Sequence, residues 1–264
     1  MEEKVVHNEQ GVAEQRSLVK PYPNPPLMEA LCEFRFAGGS PWDGTVPGLV
    51  YEQLRDQFPK RKQVRAIEVQ ITSSEKGTDQ VVRPSERVHL LQEDERAVVQ
   101  VGANVLVVNC LRPYPSWRRF SQLIGRAFNA YREAAQPGEL ATIGLRYINH
   151  IELPTGEADL ERYFEFRPFL GPRLPQSIDS FLVGVTVPYA DGRDRLRTEL
   201  TSVSASRKGA LVFRLDLHYF LARGGAVPLD DALNWAETAH DRIEETFEGA
   251  ITDDLRRTFF QRSE

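Results

Sequence analysis

The chain has 264 residues, 41% of them hydrophobic and 27% charged, with a formal net charge of −5. That is room for one large domain or two small ones of ordinary globular composition, and the acidic balance weighs against a general nucleic-acid binder. No apolar run approaches the roughly 20 residues of a membrane span, and the polar start MEEKVVHNEQ lacks the apolar stretch of a secretion signal.

Residues 1–20 read as a polar arm, followed by PYPNPP (Pro21 to Pro26), whose fixed backbone must run extended. ALCEFRF then alternates, with Cys32, Phe34 and Phe36 on one face and Glu33 and Arg35 on the other, which predicts a strand. GGSPWDG is a loop. Thr45 to Pro59 follows a helical period, its stripe being Val46, Leu49, Val50, Leu54 and Phe58. AIEVQIT predicts a strand and SSEKGTDQ a turn region. VHLLQ, RAVVQV and VLVVNCL are β-branched runs with turn signals between them, the pattern of a meander. Ser116 should cap a helix whose stripe is Trp117, Phe120, Ile124, Ala127, Phe128 and Tyr131, with Pro137 and Gly138 ending it.

The pattern then begins again. TIGLRYINHIEL predicts a strand, ADLERYFEF a short helix and SFLVGVTVPY a strand. DRLRTELTSVSA and LVFRLDLHYFL predict a hairpin turning at Arg207 to Gly209. Leu229 to Gly249 is a long amphipathic helix interrupted at Gly249, and Thr252 should cap a final short helix, DDLRRTFF. The expected fold class is therefore α+β, with an arm and linker over 1–26, a first strand-helix-meander-helix unit over 27–139 and a second over 140–264. Antiparallel sheets with helices on one face, in the layout of the TATA-binding-protein-like saddles, would satisfy this pattern, although layout does not carry function.

Three segments, PPLMEALCEFRF, GLRYINHIELP and AHDRIEETFEGAIT, together resemble a sporadically distributed family of bacterial proteins of about this length. The resemblance covers the chain from Pro25 onward. It implies no activity or cofactor. A patchy occurrence is the pattern of horizontally transferred genes, such as those of phage-defence or toxin–antitoxin operons.

Candidate functional residues cluster on the second unit. In GLRYINHIELP, Ile143, Leu145, Tyr147, Asn149, Ile151 and Leu153 share one face, and Gly144, Arg146, Ile148, His150 and Glu152 the other. Asn149 interrupts an apolar face and must find a partner, expected in the backbone of a neighbouring loop. Arg146 and His150 form one row, and Arg214, Asp216 and His218 another. If these strands are neighbours, two arginines and two histidines line a shared surface, with Arg197 and Glu199 beside them. Such a surface could bind phosphate or RNA, do acid–base work, or be a solvated face of cross-strand ion pairs.

Other signals carry less. The Arg-xxx-His spacing does not fit the helical-bundle ribonucleases, because it is one residue short and lies on strands. His240-Asp241 lacks the further ligands of metal phosphohydrolases, and His240 falls on the apolar stripe between Ala236 and Ile243, so helix packing explains it better. Arg118, Arg119, Arg126 and Arg132 follow the outer face of the helix from Trp117, where charges are normally solvated. There is no phosphate-binding glycine loop with lysine, no HExxH, no GxSxG and no CxxC. Cys32 and Cys110 match no metal-ligand spacing and read as reduced core residues.

The sequence thus leads to a cytoplasmic, non-enzymatic interaction or accessory protein. It would have a protein partner or form a homo-oligomer, have no catalytic residue, metal or cofactor, and have no membrane association. The alternative is a nucleic-acid-binding or nucleic-acid-processing protein using Arg146, His150, Arg214 and His218.

Overall fold

A computed structural model describes residues 22–74, 77–153, 159–203 and 211–260, with side chains described throughout except over 66–85. The polar arm, the turn at Arg207 to Gly209 and the middle of the first hairpin's turn lie outside the described residues.

The chain order is β1 (Leu27–Gly39), α1 (Val46–Leu54), β2 (Lys60–Ser74), β3 (Gly77–Leu91), β4 (Ala97–Gly102), β5 (Val105–Leu111) and α2 (Trp117–Ala135), then β6 (Pro137–Leu153), α3 (Leu160–Tyr163), β7 (Leu182–Tyr189), β8 (Asp194–Val203), β9 (Leu211–Leu221), α4 (Ala232–Ala250) and α5 (Asp253–Leu255). All nine strands form one antiparallel sheet in the order β2-β3-β4-β5-β1-β6-β9-β8-β7. The α+β class and the antiparallel pairing agree with the sequence pattern, which left open whether the two units share one sheet.

The register explains the core. Cys32 of β1 lies opposite Val108 of β5 and Leu145 of β6, and Leu145 opposite Tyr219 of β9. Alternation then sends Ala30, Cys32, Phe34, Leu106, Val108, Ile143, Leu145, Leu215, Leu217 and Tyr219 to one face, where all are buried. Helices α2 and α4 lie on that face, α2 against β5 and α4 against β6 and β9. Phe128 of α2 packs 4.7 Å from Phe34 and 6.3 Å from Phe36, ring centroid to centroid, and Tyr131 stacks on Phe36 at 4.9 Å.

The helix ends follow local chemistry. Ser116 Oγ accepts the Arg119 N–H at the start of α2, filling one of the orphan donors of a first turn. At its end Gln136 takes a left-handed conformation with φ 44° and donates its N–H to the Arg132 carbonyl before Pro137 opens β6. Thr252 Oγ1 likewise accepts from Leu255 N at 3.3 Å.

Several sequence expectations shift. Helix α1 stops at Leu54, so Phe58 reaches the core from beyond the helix end, while Leu49 is 51% exposed and leaves the stripe. Trp117 is half-buried, because it covers the edge of the α2–α4 seam rather than the centre of the core. The first hairpin is longer than its alternating core, β2 running to Ser74 and β3 starting at Gly77, inside the expected turn region. Gly249 does not break α4, which continues to Ala250.

The Phe128 side chain is 1% exposed between two aromatic rings of β1. Phe128→Ala should therefore lower the unfolding free energy by about 3–5 kcal/mol. Denaturant melts of the two proteins measure it, and an unchanged midpoint would mean α2 does not face the sheet as described.

Candidate functional site

The face opposite the helices carries the sequence's candidate residues. Strands β6 and β9 are neighbours, and their register sets Arg146 opposite His218 and His150 opposite Arg214. The four residues are thus brought together as two cross-strand pairs. Strand β8 adds Arg197 opposite His218 and Glu199 opposite Asp216.

What the arginines do there is specific. Arg146 forks onto Asp216, Nε to Oδ1 at 2.8 Å and Nη2 to Oδ2 at 2.6 Å. The Asp216 side chain is 4% exposed and the Arg146 side chain 39%, so a bidentate pair satisfies a carboxylate that the sheet has taken out of water. The bond to Asp216 holds the Arg146 guanidinium above its usual pKa. Arg197 pairs with Glu199 at 2.6 Å and Arg35 with Glu33 at 2.7 Å. Burial, together with the neighbouring Arg146, pushes His218 down to about 4, so it is neutral near pH 7. Gly144 makes room for it: a Cβ at that position would lie 2.7 Å from His218 Nε2.

His150 is exposed, and its backbone N–H is tied to the Pro26 carbonyl at 2.9 Å. Opposite it, the Nε of Arg214 is buried without an acceptor among the described residues, as is the Thr201 hydroxyl on the facing position of β8. Asn149 is buried, as its place on the apolar face requires. Its Nδ2 donates to the Leu215 carbonyl at 3.2 Å. The partner is thus strand β9, not a loop: Leu215 is the residue directly opposite Asn149 in the β6–β9 ladder.

Two polar chains were not anticipated. Across the first half of the same face, Arg87 donates to Gln100 at 3.2 Å, Gln100 to Asn109 at 3.0 Å and Asn109 to Glu29 at 2.6 Å, linking β3, β4, β5 and β1. Each residue alone looked like an ordinary outward-facing polar residue, and only the register lines them up.

The second chain lies at the α2–α4 seam. Tyr114 and Tyr147 hydroxyls are 3.3 Å apart, Tyr147 Oη is 2.9 Å from His240 Nδ1, and His240 Nε2 is 3.3 Å from Glu244. With Nε2 facing a carboxylate, it carries the ring proton, so Tyr147 donates to Nδ1. His240 stacks on Trp117 at 4.1 Å, and Trp117 Nε1 donates to Glu237 at 2.6 Å. The expectation of a helix-packing histidine fits this geometry. The pair of Tyr147 and His240 could have been suspected from a polar tip on each of two apolar stripes.

On the outer face of α2, Arg126 pairs with Asp56 at 3.0 Å and Arg132 with Asp230 at 2.8 Å. Beside it, Arg96, Arg119 and Arg126 line a half-open groove of about 870 Å³ with Gln57, Gln92 and Gln122. Cys32 and Cys110 are both buried and free. Burial raises the Cys110 thiol to about 12, so it stays protonated. Among the described residues no helix is long and apolar enough to cross a membrane.

Neither a protein-family model nor a curated protein matches this sequence.

Burial holds both His218 and His240 at about 4, against an unfolded value near 6.5. Between those values the unfolded chain binds protons that the folded chain does not, so stability falls as pH drops from about 6.5 toward 4. One such histidine removes on the order of 3 kcal/mol over the full window. Thermal melts between pH 7 and 5, above the main carboxylate range, should show this fall, and His240→Gln should flatten it. An identical pH dependence in the variant would mean that His240 is not held neutral.

Proposed function

We propose that this protein is a non-enzymatic interaction or accessory protein of the cytoplasm, antitoxin-like or part of a phage-defence operon, as its three characteristic segments suggest. The observation that carries this reading is the state of the polar sheet face. Three of its arginines are paired with the protein's own carboxylates: Arg146 with Asp216, Arg197 with Glu199 and Arg35 with Glu33. A surface that reads phosphates keeps its cations available to them. Here the charge of these three is compensated in place, and the whole chain carries −5. His218, which could have served acid–base chemistry, is held neutral near pH 7 by burial and a neighbouring cation.

The same reading takes the two halves as related units. In each, the last strand returns beside the first, β5 next to β1 and β9 next to β6. This order supports reading the two halves as a duplicated unit in the layout of the TATA-binding-protein-like saddles. A sheet face whose Arg35, Arg146 and Arg197 are paired with its own carboxylates suits contact with a protein rather than with a duplex.

One observation favours the nucleic-acid alternative. Among the described residues Arg214 has a buried Nε without an acceptor, and exposed His150 stands opposite it. A phosphate oxygen could satisfy such a donor.

The test is a pull-down with the tagged protein from its native host, read by mass spectrometry, together with fluorescence anisotropy on labelled RNA and DNA. The proposal expects a stoichiometric protein partner and no salt-sensitive nucleic-acid binding. Binding that weakens steeply with salt and is lost in a His150→Ala/Arg214→Gln variant would replace it with the nucleic-acid reading.

A further inference from the structure

The two edges of the sheet differ in a way that says what each can meet. Strand β2 forms one edge and β7 the other. An edge strand offers unpaired backbone groups to any passing strand, and charged side chains are the usual guard. Strand β2 is guarded by Lys60, Arg61, Lys62 and Arg65. Strand β7, LVGVTVPY, carries no charged residue. It is also apolar in the open: Leu182 is 64% exposed, Val185 46% and Val187 44%. The loop leading into it adds Phe169 at 88%, Leu174 at 55% and Ile178 at 38%. Six of the large apolar side chains left exposed on the described surface thus follow one another along a single stretch of chain. Scattered exposed apolar residues need no explanation, but a concentration of them marks an interface.

We propose that β7 is a self-pairing edge, through which two copies of this chain join antiparallel about a two-fold axis at Val185. The sequence is complementary to itself in that register. An axis perpendicular to the sheet pairs each residue with one of the same face, so it must pass through a residue position. At Val185 it sets Val183 against Val187 of the second copy, Val185 against its twin and Gly184 against Thr186. Valines then meet valines on the helix side, where Val183 and Val185 already lie opposite Leu200 and Thr198 of β8. Gly184 and Thr186, both small, meet on the other. No like charges face each other, which a charged edge such as β2 could not avoid. Pro188 has no N–H to give and closes the pairing at each end, opposite Leu182.

A stable dimer buries roughly 800 Å² per partner, more than a seven-residue ladder supplies. Phe169, Leu174 and Ile178, exposed in the loop before β7, are the further apolar surface that the proposal assigns to that contact. The axis keeps the helices of both copies on one side, so the sheet continues through the interface without a step. This inference rests on the reading of the chain as an interaction protein in one respect only, that its exposed surface serves protein contacts.

The test is sedimentation of the full chain over a concentration series up to roughly 100 µM, with circular dichroism to confirm that each variant is folded. The native chain should be a dimer. Val185→Lys sets two ammonium groups together on the axis and should weaken association by about tenfold or more. Val183→Glu and Val187→Lys should each weaken it alone. Their double variant should recover, because the two introduced charges face each other between copies, whereas within one strand they lie roughly 13 Å apart. A monomer throughout, a dimer indifferent to Val185→Lys, or a double variant no better than the singles would each overturn the proposal. Partner capture by the native chain and by Val185→Lys separates this failure from the broader one. A monomer that still captures a protein partner ends the self-pairing proposal and leaves the interaction reading in place.

Discussion

The structure depends on the pairing of β1 with β6. These strands run antiparallel down the middle of the sheet, from Leu27 opposite Asn149 to Gly39 opposite Pro137. The strands before β6 join those of the second half through this ladder, and the apolar residues on either side of it (Ala30, Cys32 and Phe34 with Ile143, Leu145 and Tyr147) are all buried. Split there, the protein would be two smaller sheets, each with a new edge and half a helix layer. Because side chains alternate with a period of two, a one-residue slip at this seam would turn Cys32 and Leu145 to the open face and bring Glu33 and Arg146 against α2 and α4. The cost of that exchange holds the register in place. The seam is also clamped from outside: His150 N–H bonds the Pro26 carbonyl, and Tyr22, at the start of the described chain, packs against Phe247 and Phe260 and donates its hydroxyl to Glu248.

The open face carries many polar groups close together, and the sheet deals with them by pairing. Asp216 and Asn109 are nearly inaccessible, at 3% and 8% exposure, and a carboxylate or amide left without partners there would cost about 1–3 kcal/mol or more. Each has them, Asp216 in Arg146 and Asn109 in Glu29 and Gln100. On the helix side, Asp194 is fully buried and is held by Arg193, Tyr219 and Trp235, which ties the start of β8 to α4. These groups fix the strands against one another. Such pairing also explains why Arg35, Arg146 and Arg197 present little free positive charge.

Much of this was legible in the sequence because alternation and helical period are local signals. The faces of GLRYINHIEL follow directly from them, as does the stripe of α2, where Phe120, Ile124, Ala127 and Phe128 are buried. The neighbouring of Arg146/His150 with Arg214/His218 needed a strand pairing that no local signal contains, and it was reachable only as a condition. Element ends were less legible. Leu49 fits the helical period of α1 yet faces solvent, and only Val46, Val50 and Leu54 of that helix are buried. The Arg87–Gln100–Asn109–Glu29 chain was invisible, because its members are spread over four strands and acquire meaning only from register. The partner of Asn149 was misplaced for the same reason: the carbonyl it reaches belongs to Leu215, the residue that the β6–β9 register sets opposite it.

If the β1–β6 seam is what holds the two halves as one unit, its backbone hydrogen bonds must be among the last to open. Native-state hydrogen exchange, resolved by residue across increasing denaturant, measures this directly. The amides of Cys32 and Phe34 in β1 and of Leu145 and Tyr147 in β6 should exchange only with global unfolding, and strands of both halves should merge into that same transition. Exchange at the seam at lower free energy than within β4–β5 or β8–β9 would show two independently stable halves, and the central pairing would then be a contact between domains rather than the core of one.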